Sequence, residues 1–159
     1  MAAEQGVGGE MLSVKEVLDL VPQQEPFRFI DEILELDEDH IVATYTFREE
    51  ADFYRGHFPG NPITPGVILT ETAAQAAVVA FGIGLVARES GREEVDRLLT
   101  IFTDCAVDFS GTVRPGDRVT TTGRKKFWRR KKLRAEFEMK LDDGSVVCSG
   151  ELSGMGVPR

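Results

Sequence analysis

"PGVILTETAAQAAVVAFGIGLVAR", residues 65–88, carries charge only at Glu71 and Arg88. Alanine and straight-chain residues dominate, and no proline follows Pro65, so the stretch reads as one helix over about Pro65 to Arg88. It is apolar nearly all round. Such a helix has no face for water and must be wrapped by the rest of the chain rather than laid on a surface. Gly82, Gly84 and the alanines allow other backbone to approach closely. Thr64 is the expected N-cap and Pro65 the first helical residue, where a missing N–H costs nothing. The uncharged part, Thr72 to Ala87, is 16 residues long. That is short of the roughly 18–20 needed to cross a bilayer, so a buried helix without a membrane span is expected.

The wrapping material lies on both sides. Before the helix, "FRFIDEILEL" (27–36) and "HIVATYTF" (40–47) read as strands, parted by the polar turn Asp37 to Asp39. The second has apolar residues on both faces, as in a strand covered on one side and paired at an interface on the other. After the helix come "LLTIFTDCAVDF" (98–109), "RVTTTGRKKFWRR" (118–130), "KLRAEFEMKL" (132–141) and "SVVCSGELSGM" (145–155). Arg114 to Asp117 and Asp142 to Gly144 read as turns. Near the start, Ser13 followed three residues later by Glu16 forms a capping box for a short helix carrying Val14, Val17, Leu18 and Val21, which Pro22 ends. The expectation is α+β: a curved antiparallel sheet of about six strands around one long central helix. Residues 1–12 read as a flexible tail, and 13–159 as a single domain.

At 159 residues the chain can bury a core, and 42% hydrophobic with 29% charged residues suits a soluble globular protein. The first residues lack the basic and apolar regions of a signal peptide, and Cys105 and Cys148 have no metal-ligand spacing. Both cysteines are expected to be buried, reduced thiols of a cytoplasmic protein. Net charge is −8, yet Ser110 to Arg134 holds ten Lys or Arg against one acid, Asp117. An acidic chain without a recognition helix is a poor nucleic-acid binder, so the basic band, with Arg129, Arg130, Lys131 and Lys132 at its centre, is either a solvated hairpin face or a dock for an acidic protein.

"YRGHFPGNPITPG", residues 54–66, crowds three prolines and three glycines around His57, the last glycine being the helix start at Gly66. Prolines and glycines fix a loop in one unusual path, which holds the imidazole in place. Glu71 follows on the first turns of the helix, sharing a face with Val67, Ala74, Gln75 and Val78. A carboxyl on that stripe is expected to lose water, which favours its protonated, proton-donating form; the nearby helix N-terminus favours the ionised one. Gln75, one turn on, is placed to hydrogen-bond it. The N–H of Gly66 points out of the helix start and can stabilise negative charge on an oxygen. A base, an acid and an oxyanion donor suit removal of a proton beside a carbonyl with loss of a β-substituent. Each residue taken alone also has a purely structural reading. The only other histidine, His40, lies in an unrelated strand, so no metal site is expected.

"GHFPGNPITPGVILTETAAQ", residues 56–75, resembles the signature of the FabZ-type 3-hydroxyacyl-[acyl-carrier-protein] dehydratases. The matches fall at Gly56, His57, Phe58, Pro59, Gly60, Pro62, Pro65, Gly66, Val67, Glu71, Ala74 and Gln75. Weaker similarity runs through Pro26, Phe27 and Asp31, and through Phe109, Val113, Pro115, Gly116 and Asp117. The resemblance implies the hotdog fold and dehydration of a (3R)-3-hydroxyacyl thioester on acyl carrier protein to the trans-2-enoyl thioester, in fatty acid biosynthesis or a related acyl pathway. It implies His57 as base, Glu71 as acid and Gly66 as the amide that polarises the thioester carbonyl, with Phe58, Val67 and Gln75 lining the site. It implies no cofactor. It also implies a homodimer with active sites shared between subunits, able to assemble into a trimer of dimers. Glutamate at position 71, where the FabA-type branch has aspartate, points to dehydration without isomerisation. Gln23, Gln24, Glu25 and Asp108 depart from the family pattern. A hotdog thioesterase and a non-catalytic acyl-binding partner subunit are the alternatives.

Overall fold

The structure, a computed structural model, describes residues 11–159. Residues 1–10 of the expected tail lie outside the described residues. A short N-terminal helix, Val14–Leu20, opens the fold, with the capping box in place: Ser13 N donates to Glu16 Oε2 (2.7 Å) and Glu16 N to Ser13 Oγ (3.2 Å). Six strands follow: β1 (Glu32–Leu36), β2 (His40–Thr46), β3 (Leu98–Phe109), β4 (Arg118–Arg129), β5 (Lys132–Leu141) and β6 (Val146–Pro158). They form one antiparallel sheet in the order β1-β2-β4-β5-β6-β3. The central helix, Gly66–Ser90, lies in its concave face, and this sheet-wrapped helix is the hotdog arrangement.

Glycines let the sheet close on the helix. A Cβ at Gly154 of β6 would stand 2.3 Å from Val78 Cγ1, and one at Gly123 of β4 would stand 2.8 Å from Ala77 Cβ. Two buried clusters flank this contact. Phe29, Tyr45, Phe47, Leu69, Phe137 and Leu152 pack at one end of the helix, and Val17, Ile33, Ile41, Phe81, Val86 and Leu133 at the other.

Several expectations need correction. Thr64 does not cap the helix: its hydroxyl is buried and bonded to Tyr54 Oη (2.5 Å), and Pro65 takes the N-cap position with Gly66 as the first helical residue. The helix runs for 25 residues, long and apolar enough to cross a membrane by length and composition, but it is mostly buried inside the fold. Its middle, Gln75–Ala80, winds as a π-helix, and a short helix, Arg92–Asp96, follows it. Of residues 27–36 only Glu32–Leu36 are strand, because Phe29 N and Phe27 O bond the Gln75 side chain instead. Cys148 is buried, and burial pushes its thiol up to about 12. Cys105 is exposed, since it lies on the edge strand β3, none of whose residues is buried in the single chain. The exposed apolar side chains are thus on β3, with Leu99 and Ile101 on one face and Phe102 and Phe109 on the helix side, and not on β2.

At the β1–β2 turn, His40 Nε2 meets Glu35 Oε2 (2.7 Å) and Nδ1 meets Asp37 Oδ2 (2.9 Å). The bond to Glu35, then those to Asp37, raise the imidazole above its ordinary value despite partial desolvation. A group raised on folding adds stability that is full below its unfolded value of about 6.5 and fades as pH climbs through the folded one. Melting curves of His40→Gln should therefore fall further below wild type at pH 6 than at pH 9. An equal gap at both would show that the cluster is not holding a proton.

Candidate active site

The loop before the central helix is tied by its own backbone. His57 N donates to Phe53 O (3.1 Å), Phe58 and Asn61 exchange both backbone bonds, Ile63 N donates to His57 O (2.9 Å), and Thr64 N reaches Val113 O (2.8 Å). Gly60 takes φ +73° in the tight turn, a conformation that favours glycine. The ring of His57 stacks on Phe58, centroids 4.2 Å apart, and its Nδ1 lies 2.8 Å from Ile63 O. A carbonyl oxygen only accepts, so in the neutral ring Nδ1 carries the hydrogen and Nε2 keeps its lone pair.

Glu71 sits on the second turn of the helix and is half-buried rather than sealed from water, since Val67, one turn earlier on its face, is 77% exposed. Gln75 is fully buried. Its Nε2 donates to Glu71 Oε1 (3.0 Å) and to Phe27 O (2.9 Å), while its Oε1 accepts from Phe29 N (2.7 Å). One glutamine thus ties the carboxyl to the segment that precedes β1. With Oε1 accepting from Gln75, a proton on this carboxyl belongs on Oε2. The same segment is anchored at Asp31, which pairs with Arg48 (2.6 Å) and accepts from Thr46 N (2.8 Å).

Gly66 has the Phe109 ring against it; a Cβ there would meet ring carbons at 3.2 Å. Its N–H, first in the helix, has no intrahelical acceptor and is available to an outside oxygen. Phe58 and Val67 stand exposed beside this end of the helix.

A cleft of about 100 Å³ opens on Glu71, walled by Gln23, Ala74, Val78, Val79, Thr100 and Phe102. Past Val78 and Thr100 it adjoins a narrow apolar pocket that reaches Gly82, Val86, Leu98 and Trp128. His57 is not among the walls of the cleft, and among the described residues no hydrogen bond or ion pair joins it to Glu71. One chain therefore brings Glu71, Gln75 and Gln23 together, but leaves the imidazole outside the cleft. Gln23, Thr100 and Phe102 escaped the sequence reading. For Gln23 the departure from the family pattern was the available signal.

The basic band is not a bare positive surface. Lys125 pairs with Asp39, Lys126 and Arg134 with Glu151, Arg118 with Asp142, and Lys131 with Glu94. Arg129 and Arg130 remain exposed on the β4–β5 hairpin, where Arg130 and Lys131 form the turn with positive φ. Trp128 Nε1 donates to Glu89 (3.1 Å), which places the hairpin at the C-terminal end of the central helix, away from Glu71.

Comparison with known proteins converges on one family. Residues 21–151 match the FabA-like domain. The chain is 32% identical over 145 residues to the 3-hydroxyacyl-[acyl-carrier-protein] dehydratase FabZ of Streptococcus uberis, spanning 90% of this chain and 96% of that protein. It is 33% identical over the same shares to the FabZ of Streptococcus agalactiae. Among solved structures, the dehydratase heterocomplex ApeI:P of Xenorhabdus doucetiae superposes with a TM-score of 0.73 at 18% identity, covering 89% of this chain and 91% of that one. The thioesterase HI1161 of Haemophilus influenzae superposes with a TM-score of 0.67 at 16% identity, over 96% and 95%. At such identities the two structures speak for the fold alone, whereas the domain match and the streptococcal relatives run through the loop, the helix and the sheet together: the chain belongs to the FabA-like family.

Proposed function

We propose that the protein is a 3-hydroxyacyl-[acyl-carrier-protein] dehydratase of fatty acid synthesis or a related acyl pathway, converting a (3R)-3-hydroxyacyl thioester to the trans-2-enoyl thioester and water. The observation that carries this reading is the likeness to the FabZ dehydratases along nearly their whole length, with the His57 loop and Glu71 intact within it. In the proposed reaction Nε2 of His57 removes the proton at C2, and the N–H of Gly66 holds the thioester oxygen as charge builds on it. Glu71 protonates the departing hydroxyl. The apolar pocket beyond Val78 takes the tail of the acyl chain. Incubating the protein with 3-hydroxyacyl or enoyl thioesters and following enoyl absorbance in both directions tests the reading. Free thiol in place of enoyl product would mean a thioesterase instead, and silence from folded protein with every chain length would leave an acyl-binding subunit.

The site is completed by a second copy of the chain. Twelve-residue β3 is an open sheet edge, and Ile101, half exposed at 51%, stands on it with Leu99 and Phe102. A long apolar edge invites pairing with another strand, whereas the other edge, β1, is five residues long and carries Glu32 and Glu35. Pairing of β3 with its copy would bring the partner's loop to the cleft on Glu71. Ile101→Glu is expected to give a monomer by light scattering and to abolish turnover. A wild-type protein that is both monomeric and active would rule out the shared site.

Docking of the carrier protein on Arg129 and Arg130 remains part of this proposal, supported by their exposure and lack of acidic partners in the ion pairs above. Charge reversal at both should weaken carrier-linked substrates by several-fold more than pantetheine-linked ones. Equal effects on the two substrates would reduce the hairpin to a structural role.

A further inference from the structure

Among the described residues, one buried side-chain polar atom has no hydrogen-bond partner: Oε1 of Gln23. Gln23 follows the N-terminal helix and lines the cleft that opens on Glu71. Its neighbour Gln24 is satisfied, donating to Val21 O (3.1 Å), so the turn is held without help from Gln23. The rest of the cleft wall is apolar apart from Thr100 and Glu71 itself. An amide oxygen left unpaired in such a place is costly, and where a site is otherwise built, the missing donor is sought in the ligand.

Building on the dehydratase reading, we infer that Gln23 is a substrate-positioning residue whose Oε1 accepts the hydrogen of the substrate's 3-hydroxyl. An acceptor suits that task and no other group near the reacting carbons: C1 and the thioester sulfur carry no hydrogen to donate. The hydroxyl oxygen is then held from two sides. Its own hydrogen goes to Gln23 Oε1, and a lone pair faces the proton on Glu71 Oε2. When Nε2 of His57 takes the C2 proton, the C2–H electron pair becomes the second bond between C2 and C3. The C3–O pair leaves with the oxygen. That oxygen gains the Glu71 proton, keeps the hydrogen bonded to Gln23, and departs as water. The imidazole ends with one proton more and the carboxyl with one fewer. Gln23 itself exchanges no proton; it fixes which lone pair of the hydroxyl faces the acid.

The test separates this contact from a merely structural one. Two pantetheine thioesters of equal chain length, one with a (3R)-3-hydroxyl and one saturated without it, are titrated against the His57→Ala, Glu71→Gln double variant, which lacks both the base and the acid needed to consume the first. The hydroxy ester should bind on the order of tenfold more tightly, as one hydrogen bond to a buried acceptor allows. Adding Gln23→Met should erase that preference while leaving the affinity for the saturated ester within about twofold. In ligand-free enzyme Gln23→Met should also hold or raise Tm, because it removes an unpaired buried oxygen. A preference that survives Gln23→Met, an equal loss for both esters, or a fall in Tm each overturns the inference. Gln23→Glu, which keeps an acceptor, should retain the preference, and its loss there counts against the proposal too. Wild-type turnover keeps the two readings apart. If wild type makes no enoyl ester, the dehydratase reading fails and takes this inference with it; if it does and the binding results go the wrong way, only the role of Gln23 falls.

Discussion

Mixing His57→Ala protein with Glu71→Gln protein is expected to restore activity that neither variant has alone. Each single substitution should lower turnover about a hundred- to ten-thousand-fold, the range over which one general acid or base contributes. Neither should unfold the protein. Among the described residues the His57 side chain makes one hydrogen bond, to Ile63 O, besides its stacking on Phe58, and glutamine keeps at position 71 an oxygen for Gln75 Nε2. The structure of one chain leaves the imidazole outside the cleft that contains Glu71. If the working pair is drawn from two subunits, a mixed dimer has one site with both substitutions and one with neither. Random reassortment makes about half the dimers mixed, so about a quarter of all sites regain the wild-type pair. If the pair belongs to one chain, every site in every dimer keeps a defect and mixing restores nothing. The experiment thus reads subunit sharing directly, through an activity that rises from almost zero. Retention of near-normal turnover by either single variant would remove that residue from the proposed chemistry.

The parts of this molecule legible from sequence are those where local pattern and burial coincide. The central helix declares itself because Ala73, Ala76, Ala77, Val78 and Phe81 leave it no polar side, and these residues are buried. The loop around His57 declares itself because Gly60 and its flanking prolines have few uses other than a fixed turn. What stayed hidden depends on topology. Nothing in "LLTIFTDCAVDF" says that β3 lies at the sheet edge, so Cys105 reads as buried until the strand order is known. The exposure of Val67 is of the same kind: its helical face is apolar, but the chain supplies no neighbour for that first turn. Residues 27–31 alternate like a strand, yet a side chain 46 residues away takes the Phe29 N–H. Gln23 shows in the sequence only as a departure from the family pattern, because an unpaired oxygen is a property of packing and not of any spacing of residues.

Gln75 should prove the most consequential residue that performs no chemistry. Gln75→Leu keeps nearly the same volume but withdraws the partner of Phe29 N–H, the partner of Phe27 O and the tether of Glu71 Oε1. The Phe29 N–H bond is buried and the Phe27 carbonyl bond partly so, and each group left without its partner costs about 1–3 kcal/mol, the carbonyl at the lower end. A loss of about 2–5 kcal/mol is therefore expected, which for a domain of this size lowers Tm by roughly 10 °C when compared at equal protein concentration. Segment 27–31 should loosen first, and hydrogen exchange at Phe29 N–H should rise well before exchange in β4 and β5. Below the lowered melting point, turnover should still be down at least about tenfold, because a carboxyl free to rotate spends less time aimed at the hydroxyl. Gln75→Glu separates the two roles. Its carboxylate can still accept from Phe29 N, but it cannot donate to Phe27 O and it places a second acid one turn from Glu71. Protection at Phe29 should then survive while turnover falls. Full activity in Gln75→Leu, measured where the variant is folded, would mean that Glu71 is aimed by something other than this glutamine.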